Sequence, residues 1–270
     1  MQKFGGYLLC TDLDGTLFAD DKSLSRENLD AIESFKAEGG RFTFITGRVP
    51  LTVCKVADLV RPNAPIGCLN GGGMYDLSLG KYIWNRTLSN AAWDLIDAVA
   101  AEMPDVGVQL NCVDGLYYYK DNLAMERFRA LTNTTYRPCP HRAPPSEVLK
   151  VVLAHQDSDR LLALERLLRA HPLAAEFDFI RSEHTLFEIL PKGVSKGALL
   201  SRIAEHLSIP MAHTVAIGDY HNDISMVQAA GLGIAVANAV DELKAVADAV
   251  TVSNNAHAIA AAIELLRQRK

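Results

Sequence analysis

Short apolar runs alternate with helical patterns over the first seventy residues of the chain. Residues 7–11, 41–46 and 66–69 are rich in aliphatic, aromatic or β-branched side chains, which predicts three buried strands. Between them, residues 25–38 carry apolar positions at helical spacing before a glycine pair, and residues 50–60 begin with a proline that suits a first helical turn. Strands and helices that alternate through short connections predict a parallel sheet.

The pattern changes in the middle of the chain, where strands dominate. Strands are predicted at residues 82–86, 106–112, 116–119, 150–155 and 185–190, and helices at residues 91–102, 123–131 and 159–170. Val113-Asp114-Gly115 is a turn signal between two of these strands and predicts a hairpin. We interpret this part of the chain as an α+β insert.

After Pro191 the first pattern returns. Helices are predicted at residues 195–207, 224–230 and 256–268, and strands at residues 214–217 and 233–236. The predicted fold class is α/β, with a Rossmann-like, doubly wound parallel-sheet core. Residues 1–79 and 191–270 would form this core, and residues 80–190 would form the inserted α+β domain.

The composition argues against several classes of function and does not alter the predicted fold. The chain has 270 residues, of which 49% are hydrophobic and 22% charged, as in globular proteins with a full core. A net charge of −5 and the lack of a basic block argue against a nucleic-acid partner. No apolar stretch has the length of a membrane span or the placement of a secretory signal. Five cysteines without a C-x-x-C pair favour reduced thiols and a cytoplasmic location.

Polar motifs follow the predicted strands of the parallel sheet. DLDGTL occupies residues 12–17, TGR residues 46–48 and GDYHND residues 218–223, each directly after a strand, and Lys196 begins a helix. The carboxyl ends of parallel strands share one edge of a sheet, where the ligands of open α/β folds bind. These side chains, distant in sequence, are therefore expected to converge on one crevice.

Each motif alone also has an ordinary structural explanation. Asp12 and Asp14 could serve as a nucleophile and an acid/base partner, or they could cap a turn. Arg48 could reach a bound anion or brace an aspartate. Lys196 could hold an anion as a point charge, or it could be a solvated surface lysine.

The last motif indicates a metal ion. Asp219 and Asp223 lie four residues apart with Asn222 between them, and their oxygens are the ligands that hard cations prefer, so Mg²⁺ is favoured over Zn²⁺. The alternative is an acidic helix N-terminus, which the helix dipole favours in any case. Four such motifs in chain order are much less expected by coincidence than any one of them.

Together the motifs resemble the haloacid dehalogenase superfamily of phosphohydrolases, and most closely its Cof-type sugar-phosphate phosphatases. The resemblance spans nearly the whole chain and rests on residues 12–17, 46–48, 70–71 (NG), 188–197 (EILPKGVSKG), 218–223 and 247–251 (ADAVT). Two positions depart from the family's pattern. Thr11 stands where an aromatic or apolar residue is usual, and Gly72-Gly73 where an alanine often follows Asn-Gly.

The resemblance implies a catalytic pair of aspartates and a metal site. Asp12 would attack phosphorus and form an aspartyl-phosphate. Asp14 would protonate the leaving alcohol and then deprotonate the hydrolytic water. Mg²⁺ would be held by Asp12, by the main-chain carbonyl of Asp14 and by Asp219, with Asp223 either a direct ligand or a residue that supports the ligands.

The resemblance also implies a set of phosphate ligands and a cap. The residues expected to bind substrate are Leu13 (through its N–H), Thr46, Gly47, Arg48, Lys196 and Asn222, with Thr46 and Lys196 also catalytic. Residues 80–190 would form an inserted α/β cap domain that reads the leaving group. Candidate readers are Tyr117, Tyr118, Tyr119, Arg181, Glu183 and His184.

These implications define the expected function, a Mg²⁺-dependent phosphatase of small phosphorylated metabolites, sugar phosphates above all. Two alternatives stay open. One is a phosphomutase, because phosphomannomutases share the superfamily, and the other is a non-enzymatic phosphosugar-binding or regulatory protein. The expected partner is a small phosphate ester, with no nucleic acid and no membrane, and the chain is expected to be a monomer or a homodimer.

Overall fold

The computed structural model of the protein describes residues 3–269, and the chain divides into two compact units. The first unit combines the segment that ends at Trp84 with the segment that begins at Ser195. The second unit is Asn85–Val194. The sequence pattern had placed the two boundaries after residues 79 and 190.

The described residues contain thirteen strands and nine α-helices. The strands are β1 (Leu8–Thr11), β2 (Arg41–Phe44), β3 (Ile66–Cys68), β4 (Gly73–Asp76), β5 (Lys81–Asn85), β6 (Gly107–Cys112), β7 (Gly115–Lys120), β8 (Val148–Ala154), β9 (Phe177–Glu183), β10 (Leu186–Pro191), β11 (Thr214–Gly218), β12 (Leu232–Ala235) and β13 (Ala249–Val250). The helices are α1 (Arg26–Ala37), α2 (Pro50–Val60), α3 (Ala92–Glu102), α4 (Leu123–Thr132), α5 (Ser158–Ala170), α6 (Lys196–His206), α7 (Ile224–Ala229), α8 (Asp241–Lys244) and α9 (Ala258–Gln268).

A five-stranded parallel sheet forms the centre of the first unit, in the order β13-β12-β11-β1-β2. Every residue of β1 and β11 is buried, which is why both strands are continuous apolar runs rather than alternating ones. The last residue of β1, Thr11, pairs with Phe44 of β2 and with Ile217 of β11. The segments that follow these three strands therefore begin at the same edge of the sheet.

Helices pack onto this sheet as the alternating pattern predicts. Helices α6 and α7 share a core cluster with Leu8, Cys10 and Ala216 of the sheet. Helix α1 packs on α9, and the side-chain oxygen of Asn28 accepts the backbone N–H groups of Ile259 and Ala260 at the start of α9. The fold-class prediction of an α/β protein with a parallel-sheet core is confirmed.

A small three-stranded sheet, β3-β4-β5, extends the first unit, and its strands β3 and β4 are antiparallel. An isolated parallel bridge between Ile45 and Gly67 links β3 to the β2 side of the large sheet. The sequence did not indicate β4, because residues 71–73 are three glycines that suggested a stop. Gly73 suits a strand at this place because the ring of Tyr82 fills the space that a side chain would need.

The second unit is built on a five-stranded antiparallel sheet in the order β7-β6-β8-β10-β9. One face of the sheet forms an apolar core with α3 and α5, and part of the other face packs against α4. Tyr117 and Tyr119 lie on the first face and Tyr118 on the second, as strand alternation requires. Nothing in the sequence indicated β9, whose apolar positions are interrupted by Asp178, Arg181 and Glu183 and which lies at an edge of the sheet.

Two further expectations concern membranes and thiols. Within residues 3–269, none of the helices has the length and apolar character needed to cross a bilayer. All five cysteines are free, and only Cys54 is exposed.

Candidate active site

Asp12 occupies the first position beyond β1, at the centre of the parallel sheet. Its backbone N–H donates to the carbonyl of Ile217 at 2.9 Å, so the neighbouring strand β11 fixes where the side chain starts. The residue is buried, with 7% of its surface exposed. A carboxylate at this place needs compensating groups, because burial without a partner disfavours the charged form.

The turn that follows Asp12 brings Asp219 to the same edge. Gly15 has a φ of +77°, and a β-carbon at this position would overlap the carboxylate of Asp219. Glycine therefore serves two purposes here, the positive φ and the close approach of an acid. The next residue, Thr16, donates its hydroxyl to Oδ1 of Asp219 at 2.7 Å and so orients that carboxylate.

Lys196 supplies the positive charge among these acids. Its Nζ donates to Oδ1 of Asp12 at 2.7 Å and to Oδ1 of Asp223 at 2.6 Å, and only 1% of the residue is exposed. Gly71, with a φ of +104°, allows this placement, because a β-carbon there would overlap the carbonyl of Ser195 at the start of α6. Lys196 is thus a buried charge with two acidic partners, and the surface-lysine alternative is wrong.

Both carboxylate oxygens of Asp223 accept hydrogen bonds. While Oδ1 accepts from Lys196, Oδ2 accepts the backbone N–H groups of Asp219 at 3.0 Å and Tyr220 at 3.1 Å. The spacing of four residues between the two acids therefore closes a turn as well as placing both carboxylates together. The residue is fully buried.

The carboxylates of Asp12, Asp219 and Asp223 form one group that could hold a cation. One oxygen from each lies within 4.8 Å of the others. Burial, together with repulsion from Asp223 and Asp219, raises the pKa of Asp12 to about 8 against the opposing charge of Lys196. Burial and the charge of Asp223 raise the pKa of Asp219 to about 6. Three crowded carboxylates with a single lysine suit a divalent cation, and hard oxygen donors suit Mg²⁺.

Asp14 takes part in a separate ion network nearer the surface. Arg48 donates from Nε to Oδ2 at 2.8 Å and from Nη2 to Oδ1 at 2.6 Å, and Lys22 donates to Oδ1 at 3.0 Å. Burial opposes ionisation, but these hydrogen bonds and charges from Arg48 and then Lys22 prevail and lower the pKa of the Asp14 carboxyl. Of the two sequence-based possibilities for Arg48, the structure has the one in which it braces an aspartate.

The remaining predicted phosphate ligands lie in a polar network around the loop after β3. The side-chain nitrogen of Asn222 donates to Oδ1 of Asn70 at 3.0 Å, and the backbone N–H of Asn70 donates to the carbonyl of Thr46 at 3.0 Å. The hydroxyl of Thr46 accepts the backbone N–H of Arg48 at 3.2 Å. A β-carbon on Gly47 would lie 2.9 Å from Oδ1 of Asn70, so the second motif and Asn70 are closely packed.

The structure therefore brings together Asp12, Asp219, Asp223 and Lys196 through direct contacts, and it places Asp14 with Arg48. Leu13 is buried in the turn that joins these two groups. Three residues of these networks, Thr16, Lys22 and Asn70, had no assigned role. Thr16 and Asn70 stand inside the motifs that carry the family resemblance, which was the available signal for them. Lys22 lies outside these motifs, and no signal in the sequence pointed to it.

Because the three acids are crowded, we expect Asp219→Asn to stabilise the metal-free protein at alkaline pH. The pKa of Asp219 is raised from 3.8 to about 6 in the folded protein, so its contribution to stability is present below pH 4 and is lost as the pH rises through 6. At pH 8 without divalent cations, the amide should therefore raise the free energy of unfolding, by on the order of 1 kcal/mol or a few degrees in Tm. It should also abolish the rise in Tm that Mg²⁺ gives the wild-type protein.

Thermal unfolding at pH 4.5 and pH 8, with EDTA and with Mg²⁺, tests this expectation. The gain at pH 8 should shrink at pH 4.5, where the wild-type carboxyl is mostly protonated. A variant that is less stable than the wild-type protein at pH 8 in EDTA would contradict it.

Comparison with known proteins places the chain in a family. Residues 9–263 match the sequence profile of the haloacid dehalogenase-like hydrolases. The chain is 27% identical over 260 residues to the 5-amino-6-(5-phospho-D-ribitylamino)uracil phosphatase YitU of Bacillus subtilis, covering 94% of this chain and 95% of that protein. It is 27% identical over 271 residues to the pyridoxal phosphate phosphatase YbhA of Escherichia coli, covering 94% and 96%.

A solved structure supports the same assignment of the fold. The crystal structure of a haloacid dehalogenase-like hydrolase from Bacteroides thetaiotaomicron has a TM-score of 0.84 with this chain at 24% identity, and the match covers 96% of this chain and 99% of that one. The resemblance found in the sequence motifs is confirmed. Because the profile covers nearly the whole chain, from β1 to α9, the protein belongs to the haloacid dehalogenase-like hydrolases.

Proposed function

We propose that the protein is a Mg²⁺-dependent phosphatase that hydrolyses small phosphorylated metabolites, with sugar phosphates as the favoured class, through an aspartyl-phosphate formed on Asp12. One observation carries the proposal. Lys196 is buried and ion-paired to both Asp12 and Asp223, at the carboxyl edge of the parallel sheet, where it meets the group of three carboxylates. A protein that only bound phosphate would be poorly served by three acids at the binding point, because they repel the ligand.

The first chemical step uses the Asp12 carboxylate as nucleophile. One of its oxygens forms a bond to phosphorus while the bond from phosphorus to the ester oxygen breaks, which gives an acyl phosphate and an alkoxide that needs a proton. Lys196 favours the ionised form of Asp12 that the attack requires, since its charge opposes the rise in the pKa of that carboxyl. The Lys196 ammonium is held ionised in turn, because its two acidic partners raise its pKa against the effect of burial.

Asp14 is the proposed acid and base. In the arrangement seen here Arg48 and Lys22 hold its carboxyl ionised, which suits the second step, when it accepts a proton from the water that attacks the acyl phosphate. To protonate the leaving oxygen in the first step, the carboxyl must first leave Arg48 and gain a proton. Its position, 38% exposed, leaves the side chain room for that change.

The cation and the phosphate ligands complete the proposal. Asp12, Asp219 and Asp223, with the main-chain carbonyl of Asp14, would hold Mg²⁺, which when bound offsets the negative charge of the phosphoryl group. Thr46, Gly47, Lys196, the Leu13 N–H and Asn222 would orient the phosphoryl oxygens. Arg48, which contacts Asp14, would act on the phosphate only after releasing that carboxyl.

Two features of the relatives and of the chain support the proposal further. The relatives named above carry phosphatase names with different alcohol groups, a ribitylaminouracil and a pyridoxal, so they support phosphate-ester hydrolysis more strongly than any one substrate. The five free thiols favour a reducing compartment, in keeping with the cytoplasmic location predicted from the sequence.

Phosphate release in the presence and absence of metal tests the proposal. Purified protein should release inorganic phosphate from p-nitrophenyl phosphate and from a panel of sugar phosphates in Mg²⁺. Removal of the metal with EDTA should lower the rate by about 100-fold or more, since a bound cation contributes several kcal/mol to such transition states. Excess Mg²⁺ should restore it.

Three outcomes would count against the proposal. Undiminished turnover in EDTA would contradict the proposed requirement for Mg²⁺. Release of phosphate only when a sugar bisphosphate is added, with a phosphorylated isomer as product, would favour the phosphomutase. Tight binding of phosphosugars without turnover would favour the non-enzymatic binding protein.

A further inference from the structure

The carboxylate of Asp14 is held at three points by two cationic side chains of the first unit. Arg48 donates from Nε to Oδ2 at 2.8 Å and from Nη2 to Oδ1 at 2.6 Å, and Nζ of Lys22 donates to Oδ1 at 3.0 Å. A guanidinium fork on both oxygens with an added ammonium is also the way in which proteins bind the carboxylate of a ligand. We call Arg48 and Lys22 the cation pair.

The turn that carries Lys22 is anchored to the rest of the first unit. The backbone N–H of Lys22 donates to the carbonyl of Ala19 at 2.9 Å, which closes the turn. Asp20 exchanges two hydrogen bonds with Asn255, at 3.0 and 2.8 Å, and its carboxylate also accepts from Nδ2 of Asn254 at 2.9 Å. Lys22 therefore projects from a fixed turn, so its ammonium has a defined position beside Asp14.

Arg48 is anchored by groups other than Asp14 as well. Its backbone N–H donates to the hydroxyl of Thr46 at 3.2 Å, and its guanidinium lies 5.5 Å from the centre of the Phe18 ring. The side chains of Arg48 and Lys22 are 34% and 63% exposed, so a small molecule can reach both of them. The cation pair is thus an accessible site for a carboxylate, and a carboxylate of the chain itself occupies it.

The proposed first step takes Asp14 away from the cation pair. To meet the ester oxygen, the Asp14 carboxyl must leave Arg48, and rotation of so short a side chain moves its oxygens by roughly 3–5 Å. The cation pair then lies close to the leaving group without its carboxylate. The nearest acids in the sequence have other partners, because Asp20 accepts from two asparagines and Oδ1 of Asp21 accepts the backbone N–H of Ser23 at 2.9 Å.

We propose that the cation pair binds a carboxylate of the substrate, so that the preferred substrates are phosphate esters of short hydroxy acids, including sugar acids. The inference rests on the proposed phosphatase function, in which Asp14 is the acid. The substrate carboxylate replaces that of Asp14 between Arg48 and Lys22, and Asp14 is thereby free to face the ester oxygen. The short reach of Asp14 places the substrate carboxylate about two or three bonds from the ester oxygen.

The test compares esters that differ in one carboxylate. The pairs are phosphoglycolate with ethyl phosphate, and 3-phosphoglycerate with glycerol 3-phosphate. The kcat/KM of the wild-type enzyme should favour the carboxylated ester of each pair by about tenfold or more, mainly through KM. Lys22→Met should lower this preference by about fivefold or more, and Lys22→Arg, which keeps the charge, should retain most of it. Because all variants are assayed on the same esters, differences in the intrinsic reactivity of the esters cancel.

Lys192→Met is the matched control for Lys22→Met. The Lys192 side chain is 58% exposed and forms an ion pair with Asp178 at 2.9 Å, much as Lys22 does with Asp14. This control should keep the wild-type preference for the carboxylated esters. Both methionine variants should unfold within about 2 °C of the wild-type protein, since exposed ion pairs contribute little to stability.

A binding measurement tests the cation pair without turnover. In 3-phosphonopropionate a methylene replaces the ester oxygen of phosphoglycolate, so the compound is not hydrolysed, and propylphosphonate lacks its carboxylate. In a thermal-shift assay with Mg²⁺, 3-phosphonopropionate should raise the Tm of the wild-type protein more than propylphosphonate does. Lys22→Met should respond to the two compounds much more equally.

Several results would overturn the inference. Equal kcat/KM for the two esters of both pairs in the wild-type enzyme would do so, as would an unchanged preference in Lys22→Met. A preference lost equally in Lys192→Met would show a general effect of charge instead of a carboxylate site. A protein that releases phosphate from none of the esters would refute the proposed function, and the phosphonates would then decide on the cation pair. Equal Tm shifts of the wild-type protein with both phosphonates would in that case overturn it.

Discussion

Asp12→Asn is expected to abolish phosphate release, with a fall in kcat of roughly 10⁴-fold or more, because an amide oxygen does not form the acyl phosphate. The fold should survive the change. The amide keeps an oxygen that can accept the hydrogen bond from Lys196, seen here at 2.7 Å to Oδ1, and the backbone N–H bond to Ile217 is unaffected. The variant also removes a buried carboxylate whose pKa is raised to about 8, so its thermal stability without metal should equal or exceed that of the wild-type protein.

The matched control is Asp30→Asn, at an exposed aspartate of α1 that forms an ion pair with Arg26 on the same helix. It should keep wild-type kcat and Tm, since exposed helix pairs contribute little. Rates are measured with p-nitrophenyl phosphate in Mg²⁺, and mass spectrometry of acid-quenched protein looks for the phosphorylated aspartate. If Asp12→Asn kept a kcat within tenfold of the wild-type enzyme, the nucleophile would have to be another group.

The sequence predicts the location of the site better than its internal contacts. Asp12, Asp219 and the TGR motif could be placed at one edge because each follows a buried strand, and strand ends of a parallel sheet coincide. Which cation faces which acid could not be predicted in the same way. Lys196 and Arg48 each had more than one possible partner, and the choice depends on the turn geometry at Gly15 and Gly71 that only the folded chain defines.

Strands that contain polar residues or glycine are also difficult to predict from the sequence. The strand β9 alternates apolar residues with charged ones at a sheet edge, and β4 begins with glycine, so neither gives a clear hydrophobic pattern. Asn111 of β6 shows a different limit. Its strand was predicted correctly, but its buried side-chain oxygen has no hydrogen-bond partner among the described residues, which is a property of the surroundings and not of the local sequence.

The acids at the sheet edge also show how the fold carries a functional arrangement that does not favour its own stability. Asp12, Asp219 and Asp223 are crowded and largely buried around one lysine, so the metal-free protein bears an excess of negative charge there. The surrounding groups hold the acids in place, through the side-chain hydroxyl of Thr16 on Asp219 and two backbone N–H groups on Asp223. Functional sites commonly retain such destabilising groups because the rest of the structure compensates for them.

Lys196→Met tests this balance of charge and should have the second large effect. Methionine fills a similar volume and leaves Asp12 and Asp223 buried without a cation, which costs about 3–5 kcal/mol, or on the order of 10 °C in Tm. It should also lower kcat by about 10³-fold or more, because Asp12 loses the charge that favours its ionised form.

The pH dependence separates this cause from a simple packing defect. Removing Lys196 raises the folded-state pKa of Asp12 further, so the stability lost by the variant should be largest at pH 8.5 and should shrink towards pH 5, where protonation of Asp12 removes its unpaired charge. Lys192→Met is the control, because the Lys192 side chain is 58% exposed and its ion pair with Asp178 should contribute under about 1 kcal/mol. Equal losses of stability for Lys196→Met at both pH values would show that packing, rather than charge, sets the requirement for lysine at this position.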